Sequence, residues 1–238
     1  MNEKDNVRVC KACGTASKGK YCPNCGQIMA VRRLSLHELF HEAFHFFTHL
    51  EHGFLYTLKM LITMPGKVQK QYVEGNRVKH QKPFSMFFIS ATISALLLYW
   101  VNIALTKYFN SGNTEEANFF HQYWVLFHIC MFPLYCLITY LCFKNAGFNY
   151  GEIAVFQLYT FSFLFLLIAL IQLFKFFNPY LQTRYIELPL VIVYTLITNL
   201  NFFVQLKKIW IILISIIAIV FTFLLAAFVQ DEIIKLIY

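Results

Sequence analysis

The side chains best suited to bind a metal lie in the first thirty residues of the chain. Two C-x-x-C pairs, C-K-A-C-G and C-P-N-C-G, contain the cysteines Cys10, Cys13, Cys22 and Cys25. Each pair places two sulfurs on one tight turn, and two such turns predict a closed tetrahedral Zn site. Zinc is favoured over iron or copper, because four thiolates at this spacing suit a redox-inert metal.

A closed site of this kind predicts a structural role for the metal. Four thiolates leave no open coordination position, so we expect structural zinc and no catalytic residue. About twenty residues are too few to bury a core, so the metal would drive their folding. Two disulfides are the alternative, which a reducing cytoplasm would exclude. We expect no nucleic-acid binding, since the nearby cations are few and Tyr21 alone makes no stacking platform.

Five histidines follow on a segment with helical periodicity. A capping box, Ser35-Leu36-His37-Glu38, predicts a helix from residue 36 to about 64. One apolar stripe would consist of Leu36, Phe40, Ala43, Phe47, Leu50, Phe54, Leu58 and Leu61. The opposite face would carry His37, His41, His45, His49 and His52. This pattern predicts an amphipathic helix at the membrane surface.

Two overlapping parts of this segment, H-E-L-F-H and H-E-A-F-H, match the zincin pattern. They would make the chain a membrane zinc metallohydrolase that uses His37, His41 or His45 as ligands. A zincin also needs a third ligand and a cleft for metal and substrate. Because the histidines lie opposite the apolar stripe, a row of water-facing side chains is the preferred interpretation, and metal binding by this face stays open.

Beyond residue 83 the composition is that of a membrane protein. The chain is 58% hydrophobic and 13% charged, whereas soluble domains carry about 25% charged residues. Apolar runs of roughly 20 residues predict transmembrane helices at about 84–106, 121–143, 153–176, 187–206 and 209–230. The fourth is uncertain because its second half is polar. We therefore expect an all-α polytopic membrane protein with a zinc ribbon (1–30), an amphipathic helix and basic segment (34–83) and a helical bundle (84–238).

The positive charges are concentrated ahead of the first span. Residues 1–83 hold thirteen of the twenty Lys and Arg but six of the twelve Asp and Glu. Five of these cations adjoin the span: Lys67, Lys70, Arg77, Lys79 and Lys82. The positive-inside rule places this segment in the cytoplasm. We expect a multi-pass protein of the lipid bilayer with a cytoplasmic N-terminus.

Several short motifs between the cysteines and the first span resemble a known family. After the paired C-x-x-C-G knuckles come G-F-L-Y-T from Gly53, P-G-K-V from Pro65, Y-V-E-G-N-R from Tyr72 and P-F at Pro83. This series is similar to the bacterial domain of unknown function 3667 family. The resemblance implies a bacterial inner-membrane protein with an N-terminal zinc ribbon, and it implies no activity. The histidine pairs are not part of the family pattern.

Few ionisable side chains fall inside the predicted spans. His128 lies mid-span, whereas Lys144, Glu152 and Lys175 lie near span ends, where they can reach the interface. Polar residues expected to join helices by hydrogen bonds are Gln157, Gln172, Asn199 and Asn201. A small-residue packing face is predicted at Ser90, Ala91, Ser94 and Ala95.

The leading hypothesis is a non-enzymatic membrane adaptor or scaffold whose ribbon recruits other membrane or cytoplasmic proteins. It rests on a sequence without a phosphate loop, a dinucleotide fingerprint or an intramembrane charge network. A transporter or permeation accessory that uses His128 is the second hypothesis. The metallohydrolase described above is the third.

Overall fold

The computed structural model describes residues 7–31, 33–35, 53–109 and 115–237 of the chain. The described elements are β1 (Arg8–Val9), β2 (Ala16–Ser17), α1 (Phe54–Thr63), α2 (Lys67–Val73), α3 (Pro83–Phe109), α4 (Glu115–Cys142), α5 (Tyr150–Gln172), α6 (Arg184–Phe202) and α7 (Lys208–Ile237). Short 3-10 helices at Lys144–Ala146 and Leu173–Phe176 flank α5. The predicted mainly helical class is confirmed.

Helices α3 to α7 are long and apolar enough to cross a membrane, which confirms the five predicted spans. Helix α5 is the most buried of them. The other helices that pack against it are α1, α2, α3, α4 and α6. Helices α6 and α7 leave most of their side chains on the outside of the bundle. The centre of the molecule is therefore α5, and the outer helices are the ones that lipid would surround.

The closest packing joins α3 to α5 and uses small side chains. Ser90, Ala91 and Ser94 are buried, and the Ser94 hydroxyl donates a hydrogen bond to the Phe165 carbonyl oxygen at 3.0 Å. Small residues let two helix backbones approach closely where lipid supplies no hydrophobic driving force. The predicted packing face is confirmed.

The fourth span ends earlier than the sequence predicts. Helix α6 stops at Phe202, and residues 203–207 form the turn to α7. Phe203 is fully buried in this turn, and its ring stacks on Phe143 with a centroid distance of 3.9 Å. The predicted bounds 187–206 and 209–230 leave only Lys207 and Lys208 between the two spans, and that two-residue connection is therefore wrong. The 19 residues of α6 extend about 28 Å, close to the ~30 Å hydrocarbon core.

The described part of the predicted amphipathic helix begins at Gly53. Helix α1 buries Leu61 completely, and Phe54 and Leu58 pack against the same core. This end of the apolar stripe packs against the bundle, while Leu55 and Ile62 on the other side are exposed. Both sides of α1 therefore carry apolar side chains, and the predicted stripe is the side that packs inward. Residues 36–52, with all five histidines of the row, lie outside the described residues.

The turn between α1 and α2 packs against the end of α6. Gly66 has φ +81°, and a Cβ there would overlap the Thr198 carbonyl oxygen. The Asn201 side-chain amide donates a hydrogen bond to the Pro65 carbonyl oxygen at 2.8 Å. The short helices are thus fixed to the bundle at the end where α3, α5 and α7 begin.

Candidate metal centre

The two cysteine knuckles have the same backbone geometry. In the first, the Cys10 amide donates to the Thr15 carbonyl and the Gly14 amide donates to the Cys10 carbonyl, both at 2.9 Å. The second repeats both hydrogen bonds from Cys22 onward. The glycine after each second cysteine has a positive φ, 77° at Gly14 and 73° at Gly26. These turns bring the two sulfurs of each pair together, as the C-x-x-C-G spacing predicts.

The four Sγ atoms lie within 4.8 Å of one another. Two of the separations, Cys10 to Cys25 and Cys13 to Cys22, are 3.5 Å. A tetrahedron of sulfurs around zinc, with bonds of about 2.3 Å, has edges of roughly 3.8 Å. The donor set and its spacing therefore fit one metal ion held by all four cysteines.

The sulfurs influence one another's ionisation. Hydrogen bonding to the Thr15 side chain and backbone lowers the pKa of Cys13 to about 6. The Gln27 backbone also favours the Cys25 thiolate, but burial and the neighbouring sulfurs raise the Cys25 pKa to about 12. Close sulfurs cannot all become anionic without a compensating positive charge. A bound metal ion supplies such a charge.

The segment after the knuckles is fastened to α5 by an ion pair. Arg33 Nε and one terminal nitrogen contact the two Glu152 carboxylate oxygens at 2.9 and 2.8 Å, and the Gly147 carbonyl accepts a third bond at 3.0 Å. The Glu152 carboxylate raises the pKa of the Arg33 guanidinium. Beside it, the Asn149 side-chain amide donates a hydrogen bond to the Leu34 carbonyl oxygen at 3.0 Å.

Glu152 corrects an expectation from the sequence. Its side chain is buried rather than extended to the interface. The Glu152 carboxylate accepts a hydrogen bond from the Asn149 backbone N–H. The Asn149 side-chain oxygen accepts one from the Glu152 backbone N–H, and both distances are 2.9 Å. This reciprocal cap begins α5 and points the carboxylate toward Arg33. The N-x-x-E spacing was the available signal for the cap, but it did not indicate the arginine.

A second contact joins the ribbon to the segment after α2. Gly75 lies directly against Val31, since a Cβ at Gly75 would come 2.6 Å from a Val31 methyl carbon. The Gln27 side-chain oxygen accepts a hydrogen bond from the Arg77 amide at 3.4 Å. The Arg77 guanidinium lies over the Tyr72 ring. The predicted Y-V-E-G-N-R motif therefore forms part of the surface on which the ribbon sits.

Other polar residues singled out from the sequence form bonds between helices. Asn199 donates to Ser215 Oγ at 2.9 Å, and Gln157 donates to Thr139. Gln172 donates to Glu187, a buried carboxylate that the sequence analysis missed, at 2.7 Å. The predicted bonds between helices are confirmed for these three residues, whereas Asn201 bonds to Pro65 in the turn between α1 and α2.

Two histidines of the described chain are largely enclosed by protein. Burial lowers the pKa of His80, whose Nδ1 has no hydrogen-bond partner within the described residues. His128 Nδ1 is 2.8 Å from the Trp124 carbonyl oxygen one turn earlier on α4. His128 also lines a cavity of about 400 Å³ surrounded by α4, α5, α6 and α7. Neither histidine belongs to the cysteine cluster, which is the candidate metal group in the described part of the chain.

Five apolar helices and an N-terminal cluster of four metal-ligating side chains define an integral membrane protein with a small cysteine-rich head. Residues 51–95 match the family model described as "Protein of unknown function (DUF3667)". The match covers α1, α2 and the first half of α3, and it contains the motifs from Gly53 to Phe84 that indicated this family. The predicted resemblance is confirmed over these residues. No curated protein and no solved structure matches the chain.

Proposed function

We propose that this protein is a non-enzymatic adaptor of a bacterial inner membrane, in which a structural zinc ribbon on the cytoplasmic side presents a binding surface to other proteins. The observation that carries the proposal is the attachment of the ribbon to the bundle. The Arg33–Glu152 ion pair and the contact between Val31 and Gly75 hold the module at one place on the membrane protein.

Zinc is the metal that the donor set supports. Four thiolates at near-tetrahedral spacing are the ligands of structural zinc sites, and they leave no position for a substrate. The two-strand hairpin of β1 and β2 is too small to fold by burying apolar surface. Metal binding would therefore supply the folding free energy of the ribbon.

Charge supports a cytoplasmic position for the ribbon. Cations at the ribbon end of the bundle are Lys67, Lys70, Arg77, Lys79, Lys82, Lys144, Lys207 and Lys208. Those near the other ends of the spans are Lys107, Lys175, Arg184 and Lys235. The more basic side of a membrane protein is normally cytoplasmic. Reducing conditions there would keep the cysteines available for zinc.

The adaptor role is supported by apolar side chains on the outside of the ribbon. Val9, Tyr21 and Ile28 are 63%, 54% and 47% exposed. Tyr21 and Ile28 pair across an isolated β-bridge, so neighbouring side chains contribute to this surface. Tyrosine is enriched at the centres of protein interfaces, and exposed apolar side chains beside it can be buried by a partner. We expect a protein partner to cover them.

The zinc proposal is tested on the full chain purified in detergent. We expect about one zinc per chain by elemental mass spectrometry, and near-complete loss of zinc in Cys22→Ser because three thiolates hold zinc far less tightly. Cys130→Ser, at an exposed position of α4, is the matched control and should keep its zinc. Zinc retained in Cys22→Ser would contradict the four-cysteine site.

The adaptor proposal needs variants that keep the metal. Tyr21→Ser and Val9→Ser alter only the exposed surface, so they should retain zinc and the thermal midpoint of the parent chain. Cross-linking in native membranes should then yield partners with the parent chain that are lost both in these variants and in Cys22→Ser. Identical cross-linked partners for all the chains would contradict recruitment by the ribbon and leave zinc binding unaffected.

A further inference from the structure

The cavity between four membrane helices has features of a ligand-binding site. Each helix of the series α4, α5, α6 and α7 packs against the next, and α7 packs against α4, so the four form a ring. The space between them, about 400 Å³, is within the ~300–1,000 Å³ range of small-molecule sites. It is separate from the cysteine cluster, and the proposed adaptor role does not use it.

The lining of the cavity indicates a neutral and largely apolar ligand. No Asp, Glu, Lys or Arg of the described chain lines it. A phosphate or carboxylate inside it would therefore be an uncompensated charge at membrane depth. Three of its aromatic side chains are Trp124, Phe161 and Phe165. Their faces and edges suit the packing of a flat ring.

The polar groups of this apolar lining include a buried hydroxyl that has no hydrogen-bond partner among the described residues. The Tyr135 hydroxyl is buried and has no partner among the described residues. The rings of Tyr135 and His128 lie 6.0 Å apart, and both line the cavity. A buried hydroxyl without a partner is costly, which favours a ligand that supplies one.

The hydrogen bonding of His128 fixes what its second nitrogen can do. The Trp124 carbonyl oxygen can only accept, so His128 Nδ1 carries a proton and donates to it. In the neutral ring, Nε2 is then an acceptor. Tyr135 can donate to an oxygen and His128 can accept from one. A hydroxyl group satisfies both.

We infer that the cavity binds a lipid-soluble hydroquinone, with a ring hydroxyl held between Tyr135 and His128 and the ring packed against the aromatic lining. The corresponding quinone has ring oxygens that accept from Tyr135 but no hydrogen to donate to His128. The site should therefore bind the reduced form more tightly. An acyl chain would fill the space and leave the Tyr135 hydroxyl without a partner.

Binding is measured on the full chain in phospholipid nanodiscs, with decyl-benzoquinone as a quencher of tryptophan fluorescence. Trp124 lines the cavity, whereas Trp100 and Trp210 are exposed on the outside of the bundle. We expect a saturable component of quenching that Trp124→Phe removes. Decyl-benzoquinol, added without oxygen, should displace the quinone with a dissociation constant about fivefold or more below that of the quinone, the difference of roughly one hydrogen bond.

Four variants separate the parts of the site. Tyr135→Phe should weaken both forms about tenfold, and His128→Leu should remove the preference for the quinol. Ala218→Leu, at a buried position of the lining, should abolish saturable quenching. Ala227→Leu on the same helix is outside the lining and should bind normally. Thermal midpoints near that of the parent chain show that each variant is folded.

Three outcomes would overturn the inference. Quenching could rise without saturation in every chain, which indicates simple partition into lipid. Hexadecane could displace the quinone as well as the quinol does, which indicates a site for an acyl chain. The His128→Leu chain could keep the preference for the reduced form, which excludes the hydroxyl bridge.

Discussion

Glu152 lies 119 residues after Arg33, and the ion pair between them joins the cysteine-rich head to the centre of the bundle. The environments of the two side chains differ, since the carboxylate side chain is 4% exposed and the guanidinium side chain is 68% exposed. Loss of the arginine leaves a buried carboxylate whose remaining support is the Asn149 amide and the start of α5. Loss of the carboxylate leaves a cation that water can solvate.

This asymmetry predicts the outcome of a double-mutant cycle with Arg33→Ala and Glu152→Gln. We expect Arg33→Ala to lower the thermal midpoint in detergent, and Arg33→Lys to restore only part of it, because lysine lacks the bidentate fork. The control is the Lys235–Glu232 pair, which has the same 2.8 Å contact but is exposed on both sides. The coupling free energy of Arg33 with Glu152 should exceed that of the control. Equal couplings would contradict an anchoring role.

Residues differ in how far their roles can be predicted from sequence. The four cysteines act within sixteen residues of chain, so their spacing alone predicts the turns and the sulfur cluster. Glu152 was expected at the interface because nothing in its neighbourhood indicates Arg33. The partner of a buried charge depends on which distant segments the fold brings together. For the same reason, the pairing of Gln172 with Glu187 was not foreseen.

At the scale of helices, the Pro65-Gly66 turn is the most crowded junction between the short helices and the spans. Gly66 and Gly147 both have a positive φ, 81° and 79°, although ψ is -38° at Gly66 and 10° at Gly147. A Cβ at Gly147 would meet nothing within 4 Å, whereas one at Gly66 would overlap the Thr198 carbonyl. The two positions therefore share a positive φ, and only Gly66 is also closely packed.

We predict that Gly147→Ala costs only the left-handed strain of a non-glycine residue, about 1–2 kcal/mol. Gly66→Ala should cost a further ~1–3 kcal/mol, because α2 must move away from α6. Both values come from denaturant unfolding in detergent, monitored by helical circular dichroism. Similar losses in the two variants would mean that the turn does not pack tightly against α6.

The sequence predicts that the five apolar helices exist, but it predicts less accurately the residues at which they end. An apolar run of membrane length is a strong local signal, and all five occur. The end of α6 depended on tertiary contacts, because Phe203 leaves the helix to stack on Phe143. The stripe predicted for α1 packs against the bundle, and α5 is among the helices it contacts. Periodicity shows which side chains share a face and does not name the surface they contact.

At the scale of the whole molecule, the proposed orientation has five spans, which would put the two ends of the chain on opposite sides of the membrane. With the ribbon in the cytoplasm, a fluorescent protein fused before residue 1 should fluoresce in bacterial cells. Alkaline phosphatase fused after residue 238 should be active, since it requires export. The exchanged pair of fusions, with the reporters at opposite ends, should be inactive. Activity of the exchanged pair would reverse the proposed orientation.

The docking of the head onto the bundle was beyond sequence reasoning. The predicted domain boundaries at residues 30 and 83 divide the chain into a ribbon, a basic segment and the spans, and they predict no contacts between these parts. In the structure, Val31 contacts Gly75, Arg33 contacts Glu152, and Tyr159 donates a hydrogen bond to the Gln81 carbonyl. Each contact joins segments whose separation in the chain gives no periodic or local signal.

The ion pair between Arg33 and Glu152 would affect how tightly the cysteines hold the proposed metal ion. Coupling between two equilibria is reciprocal. If the ion pair favours metal binding by the head, then metal binding favours formation of the ion pair to the same extent. A substitution at Glu152, which is not a metal ligand, would then lower the affinity of the cysteines for the metal ion. The factor would equal the one by which metal binding stabilises the ion pair at the first turn of α5. The head and the membrane domain would respond as one allosteric unit, and chelator resistance would report on the integrity of a helix inside the bilayer.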